Sequence, residues 1–354
     1  MKPLSKFSFL VFVLWACVVA CSAAEVRWVS FPDAQLELRG LPWYRENGGE
    51  LWRFPQASKA QIPKGVWNRA VASDGGRIRL SSTTSRLSIR VQPSSSPSKP
   101  CFIDAYVDDT YAGSARATGT GVADLVLFEG KGREWKNITL YLPNNGEIRV
   151  QAVGLDSDAE VRPPPAFALP RPIVCYGSSV LQGTGATHPA KTYPAVLARR
   201  LNLDFVNLGF GGAGKAEPAV VSLVNQLDAC CYIFDLGKSY GNQDEKPFVA
   251  MLAAIRAARP RVPIFCVTPI YSTNEPKDAA YLEKSVRLRN MMRDAANERR
   301  KAGDEFTFVV EGLDLFGEPD KKLFHDPQHP NDEGNELIGG RLVPLVEKVV
   351  LGKR

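Results

Sequence analysis

The chain has 354 residues, 44% of them apolar and 23% charged, with a formal net charge of +6. That length accommodates two domains with separate cores. Lys2 and Lys6 account for two of the charges, and the remaining excess of +4 is scattered along the chain, so composition excludes any need for a nucleic-acid partner.

Residues 1–24 read as a secretory signal. Lys2 and Lys6 precede an apolar run from Phe7 to Cys21, which ends in small residues up to Ala24. The run is short for a membrane span of roughly 20 residues. Cleavage after Ala24 would release a secreted or periplasmic protein. Val18-Val19-Ala20-Cys21 also resembles a bacterial lipobox, which would leave a membrane-anchored lipoprotein with its lipid on Cys21.

Residues 25–161 show short alternating or β-branched runs and no long amphipathic helix. The strands expected are Arg77–Ser81, Leu87–Val91, Phe102–Val107, Ala123–Phe128 and Asn137–Leu142, separated by turns such as Asp74-Gly75-Gly76, Pro93 to Pro100 and Asn144-Asn145-Gly146. This spacing predicts an antiparallel β-sandwich. Trp43, Tyr44, Trp52 and Trp67 are expected in its core rather than on a sugar-stacking surface. Residues 162–172, with Pro163-Pro164-Pro165, form a stiff proline-rich linker.

Residues 173–354 change period to alternating strands and helices. Strands are expected at Ile173–Tyr176, Phe205–Leu208, Tyr232–Leu236, Ile264–Thr268 and Phe306–Val310. Helices are expected at Tyr193–Leu201, Pro218–Gln226, Pro247–Ala258, Ala279–Lys301 and Glu333 to Val350. Buried strands alternating with helices predict an α/β fold with a parallel sheet, whose ligand sites lie at the carboxyl ends of the strands. The many arginines of Ala279–Lys301 are interleaved with Glu283, Asp294 and Glu298, as on a solvated face. Past the leader, Cys101, Cys175, Cys230, Cys231 and Cys266 lack any metal-ligand spacing, and most lie in apolar runs as small core residues.

Two segments carry chemistry. Tyr176-Gly177-Ser178-Ser179-Val180 breaks an apolar strand into a turn, and Asp326-Pro327-Gln328-His329-Pro330 precedes the last helix. A serine at a strand end, a histidine and an Asp three residues before it supply a nucleophile, a base and the carboxylate that orients the base. His325 has the wrong offset from Asp326 and is expected to be a neighbour or substrate contact. His188 is expected to be a solvated loop residue.

These segments, in this order, resemble the SGNH (GDSL-like) hydrolases, in the branch reading Tyr-Gly-Ser-Ser and preceded by a β-sandwich domain. The resemblance covers Ile173 to Val350. It implies a flavodoxin-like five-stranded parallel sheet with flanking helices, and a triad of Ser179, His329 and Asp326. It also implies an oxyanion hole built from the Ser179 backbone, Gly212 in Asn207-Leu208-Gly209-Phe210-Gly211-Gly212, and a side-chain amide for which Asn242 is the nearest candidate. Ser239 is the alternative at that last position, because the spacing after Asp235 departs from the family's pattern. The resemblance calls for no metal or organic cofactor. Together with the leader it implies an exported serine esterase acting on a small-molecule or polysaccharide ester, most readily O-acetyl groups. A lipase or thioesterase on longer acyl chains, or a non-catalytic carbohydrate-binding protein, are the alternatives.

Overall fold

The computed structural model describes residues 25–94 and 101–353. The leader with Cys21, and most of the Pro93–Pro100 turn, lie outside the described residues.

The first part is built from strands β1 (Val26–Ser30), β2 (Glu37–Arg39), β3 (Arg77–Ser82), β4 (Leu87–Pro93), β5 (Cys101–Val107), β6 (Thr110–Ala117), β7 (Ala123–Phe128), β8 (Lys136–Tyr141), β9 (Ile148–Asp156) and β10 (Val161–Arg162), with one short helix, α1 (Lys64–Ala70). The strands form two antiparallel sheets, β1-β9-β4-β7 and β10-β3-β8-β5-β6, with β2 added beside β3. Alternate residues point between the sheets, as the two-residue period of a strand requires: Ile78 and Leu80, Leu87, Ile89 and Val91, Ile138 and Leu140 share one solvent-free core. Each such side chain contributes about 1.5–3 kcal/mol relative to an exposed one. All five expected strands occur here. β1, β2, β6, β9 and β10 are too short or too polar on one face to stand out as runs.

The second part is a parallel sheet of β11 (Ile173–Gly177), β12 (Phe205–Gly209), β13 (Cys231–Asp235), β14 (Ile264–Val267) and β15 (Thr307–Val310), in the order β12-β11-β13-β14-β15. Helices α2 (Ser179–Gln182), α3 (Tyr193–Leu201), α4 (Pro218–Gln226), α5 (Lys246–Ala258), α6 (Ala279–Lys301), α7 (Gly312–Leu315) and α8 (Asp332–Leu351) follow the strands. Side chains of α4, α5 and α6 cover one face of the sheet, those of α3 and α8 the other. Start signals in the sequence explain the helix boundaries: Pro218 opens α4, the Asp278 side chain caps α6 by accepting from Tyr281 N, and Asn331 caps α8 by accepting from Gly334 N. With β12 on one side of β11 and β13 on the other, the chain reverses direction at β11. The crevice at the carboxyl ends of these strands is the expected ligand position.

Two expectations need correction. Leu41, Tyr44 and Leu51 pack with the sandwich, but Trp43 and Trp67 are buried in another core: together with Phe54 and Val66 they pack with Tyr176, Leu208 and Phe210 of the parallel sheet, and Trp52 lies against them. The charged face of α6 is solvated at Glu283, Arg287, Asp294, Glu298 and Arg300, but not all of its arginines belong to it. Arg289 is buried, pairs with Glu275 at 2.6 Å and donates to the carbonyl oxygens of Pro269 and Ile270, while Arg293 pairs with Glu311 at 2.5 Å. The guanidinium fork satisfies several loop acceptors at once, which no alternation of charge along the helix reveals.

The proline-rich linker is tied to both parts. Arg79 donates to Pro165 O at 2.9 Å and stacks over Phe167, and Ala168 N donates to Asn202 O.

Candidate active site

At the end of β11 the backbone passes so close to β13 that a Cβ on Gly177 would meet Asp235 O at 1.9 Å, and only glycine fits there. Ser178 N then donates to Asp235 O at 2.7 Å, and the Ser178 hydroxyl caps α2 by accepting from Val180 N. Ser179 therefore becomes the first residue of α2, with its hydroxyl thrown into the crevice and its backbone N–H at the open end of the helix.

His329 reaches this hydroxyl from 150 residues away in sequence. Ser179 Oγ lies 2.8 Å from His329 Nε2, and His329 Nδ1 lies 2.7 and 3.0 Å from the two oxygens of Asp326. The Asp326 carboxylate also accepts the backbone N–H groups of Gln328 and His329 at 2.8 and 3.0 Å. Burial works to raise this carboxyl, but the bonds from the imidazole and the two backbone N–H groups outweigh it and hold it below the usual carboxylate range. An ionised Asp326 accepts the Nδ1 proton, which leaves Nε2 free to take a proton from Ser179. The structure thus brings Ser179, His329 and Asp326 into one hydrogen-bonded series. His325 is exposed and bonds only through its backbone, to His329 O, as one rung of the turn.

Gly212 lines the same cleft as Ser179, with φ of +69°, a left-handed backbone that suits glycine. Its N–H donates to Ser239 Oγ at 3.1 Å. Ser239 sits in the turn Gly237–Tyr240 after β13 and lines the same cleft as Ser179, Gly212 and His329. Asn242 does not. It lines a separate depression with Gln243, Asp244 and Arg287, because the turn after β13 closes at Gly241 and carries the chain away from Ser179. The expected amide is therefore absent from the cleft, and the serine alternative stands in its place.

The cleft has a volume of about 640 Å³. Its floor is the strand ends and its walls are largely polar. One wall comes from the first part of the chain: Asn68 and Arg69 of α1, and Asn145 of the β8–β9 turn. These residues carry no motif, and sequence reasoning missed them. It also missed a buried relay behind the site. Arg53, fully buried, donates to Asn207 O, Gly209 O and Arg69 O at 3.2, 2.6 and 2.5 Å and lies 3.3 Å from Asp74. Asp74 accepts from Gln182 Nε2 at 3.0 Å, and Gln182 Oε1 accepts from Gly211 N at 2.8 Å. Burial raises the Asp74 carboxyl to about 6, against the pull of Arg53 and the Gln182 bond. Gln182 lies two residues past Val180, three past the nucleophile, and that spacing was the one available hint.

Two further groups frame the cleft. Asp235 is buried, and burial raises it to about 6 although Tyr193 O–H donates to it at 3.1 Å. Lys238 is lowered to about 8 by burial, against the attraction of Glu275 at 3.1 Å. His188 departs from expectation: it is not solvated but bonds Asp104 at 2.6 Å through Nδ1 and stacks against Phe102, tying the loop after Ser179 to β5.

A flavodoxin-like parallel sheet with a serine on its strand-to-helix turn, facing a histidine and an aspartate, has the layout of a serine-dependent hydrolase. Residues 170–347 match the GDSL-like lipase/acylhydrolase family, and residues 26–161 match the N-terminal domain of SGNH-hydrolase-type esterases. The chain belongs to the GDSL-like lipase/acylhydrolase family. No curated protein matches it by sequence. Among solved structures it is similar to a GDSL-like lipase of Bacteroides ovatus (24% identity, TM-score 0.79, covering 92% of this chain and 98% of that one). It is also similar to the salicylyl-acyltransferase SsfX3 of a tetracycline biosynthetic pathway (24%, 0.78, 92% and 99%). A third is the acetyl xylan esterase Est2A of Butyrivibrio proteoclasticus (13%, 0.62, 91% and 98%). At these identities the likeness is one of fold.

Proposed function

We propose that this protein is an exported serine esterase that removes small acyl groups, above all O-acetyl, from carbohydrate. The observation that carries the reading is the series Ser179 Oγ–His329 Nε2–Asp326 at 2.8 and 2.7 Å. Ser179 attacks the ester carbonyl as His329 takes its proton. The tetrahedral oxyanion is held by the N–H of Ser179 and by the hydroxyl of Ser239, whose oxygen accepts the Gly212 N–H so that its own proton is free to turn toward substrate; Gly212 thus acts by orienting that hydroxyl. His329 returns the proton to the leaving alcohol. Water, activated by the same imidazole, then releases the acid from the acyl-enzyme.

The polar walls support a short acyl group over a long one. Among the lining residues only Val180, Pro269 and Ile270 have apolar side chains, which favours a short acyl group. Carbohydrate as the alcohol is supported by the asparagines of the cleft wall and by the similarity of fold to an acetyl xylan esterase. Export rests on the pattern of residues 1–24.

Acetate release from acetylated xylan and from 4-nitrophenyl acetate tests the reading, with the decanoyl ester as comparison. Wild-type activity with a dead Ser179→Ala variant is the expected result. Equal activity of the variant removes Ser179 as nucleophile, and a preference for decanoate overturns the acetylesterase assignment. The mass of the mature N-terminus tests export: it starts at Glu25, or at a lipid-bearing Cys21.

A further inference from the structure

We propose that the cleft selects esters bearing an anionic group, a carboxylate or a sulfate, beside the scissile bond, and that Arg69 is the residue that recognises it. This rests on the esterase reading above and narrows its substrate class to acidic sugars.

Arg69 lines the cleft from the last turn of α1, half-buried. Its Nη1 donates to Gly65 O at 2.7 Å, and among the described residues no carboxylate pairs with it. Its Nη2 faces the oxyanion loop: a Cβ built on Gly212 would lie 4.0 Å away. The neighbouring cations are differently placed. Arg53 is offset by Asp74 and Lys238 by Glu275. Asp235 is the one carboxylate among the lining residues, and it is buried and engaged by the Tyr193 and Ser178 hydroxyls. Arg69 is therefore the lining cation that, among the described residues, has no carboxylate of its own.

The position of that charge is built in. Arg53 bonds Arg69 O and Gly209 O through adjacent guanidinium nitrogens, so one buried group fixes both the backbone that presents Arg69 and the strand leading to Gly212. The free edge of the Arg69 fork matches two oxygens of a carboxylate or sulfate. Asn68 and Asn145 on the same wall can bond ring hydroxyls. A neutral ester would leave the free edge of the guanidinium, beyond its bond to Gly65 O, with water alone.

The test compares acetate release from three mono-O-acetylated probes on one ring: methyl glucoside, methyl glucuronoside and methyl glucoside 6-sulfate. At low salt, kcat/KM for one or both anionic probes is expected to exceed that for the neutral probe by about tenfold. In Arg69→Gln the anionic-to-neutral ratio falls toward one, and 0.5 M NaCl lowers it in the wild type, since an exposed pair is screened over roughly 10 Å or less. Preference for the glucuronoside or for the sulfate identifies the group. A wild type that hydrolyses all three alike overturns the proposal but leaves the esterase reading intact. Equal loss on all three probes in Arg69→Gln also overturns it, by assigning Arg69 to the reacting carbonyl. A wild type inactive on every probe and on 4-nitrophenyl acetate removes both readings.

Discussion

Gln182 Oε1 accepts the backbone N–H of Gly211 at 2.8 Å, and the direction of that bond is dictated from behind, where the Gln182 amide nitrogen donates to Asp74. A carboxylate can only accept, so Asp74 decides which end of the amide faces Gly211. Gln182→Ala leaves Gly211 N–H without its partner, at a cost of about 1–3 kcal/mol. The expected result is a kcat lowered about tenfold with KM nearly unchanged. An unchanged kcat shows that the loop holds its shape without this bond.

Ser179→Ala and His329→Ala are each expected to lower kcat by about 10⁴-fold or more, and the double variant by little more than either alone, because the two act as one unit. Asp326→Asn replaces an acceptor that fixes the imidazole tautomer, and should cost roughly 10²–10⁴-fold. Additive losses in the double variant contradict a shared proton transfer.

Ser239→Ala removes a hydroxyl placed 3.1 Å from Gly212 N and is expected to lower kcat by about 10²-fold. Asn242→Ala alters a residue of a separate depression and should leave kcat within twofold of wild type. Kinetics on 4-nitrophenyl acetate decide between them, and the reverse pattern restores the amide.

Asp235 has a pH signature. Burial raises its carboxyl to about 6, above the ordinary 3.8, so the folded state holds a proton that the unfolded chain releases. Stability from this group is complete below about pH 4 and is lost as pH rises to about 6. Relative to Asp235→Asn, wild-type unfolding free energy should fall by about 3 kcal/mol across that window and run parallel above it. Urea titrations at pH 4, 5, 6 and 7 measure this, and parallel curves throughout rule out the buried protonated acid.

How far these features were legible in the sequence follows from range. The period of two in Leu87–Val91 and the capping signals at Pro218 and Asp278 are local, and the matching elements stand within a residue or two of their expected bounds. Asp326 and His329 lie three apart on one turn, so their pairing could be read directly. Asn242 lies outside the cleft because the turn after β13 closes at Gly241, which residue spacing does not reveal. Residues 41–71 were the largest gap. They have no sustained periodicity, and the partners of Trp43 and Trp67, Tyr176 and Phe210, lie more than a hundred positions away. Arg53 looks like any polar residue until the fold wraps it.

Arg53 also bears on how such a chain can change over time. Because its guanidinium joins α1 to β12, the two halves are not interchangeable cassettes. A graft of this hydrolase half onto a foreign sandwich would inherit bare carbonyls at Asn207 and Gly209 and a cleft missing one side. New specificities are more readily reached by altering Asn68 and Arg69 in place than by recombination at the proline-rich junction.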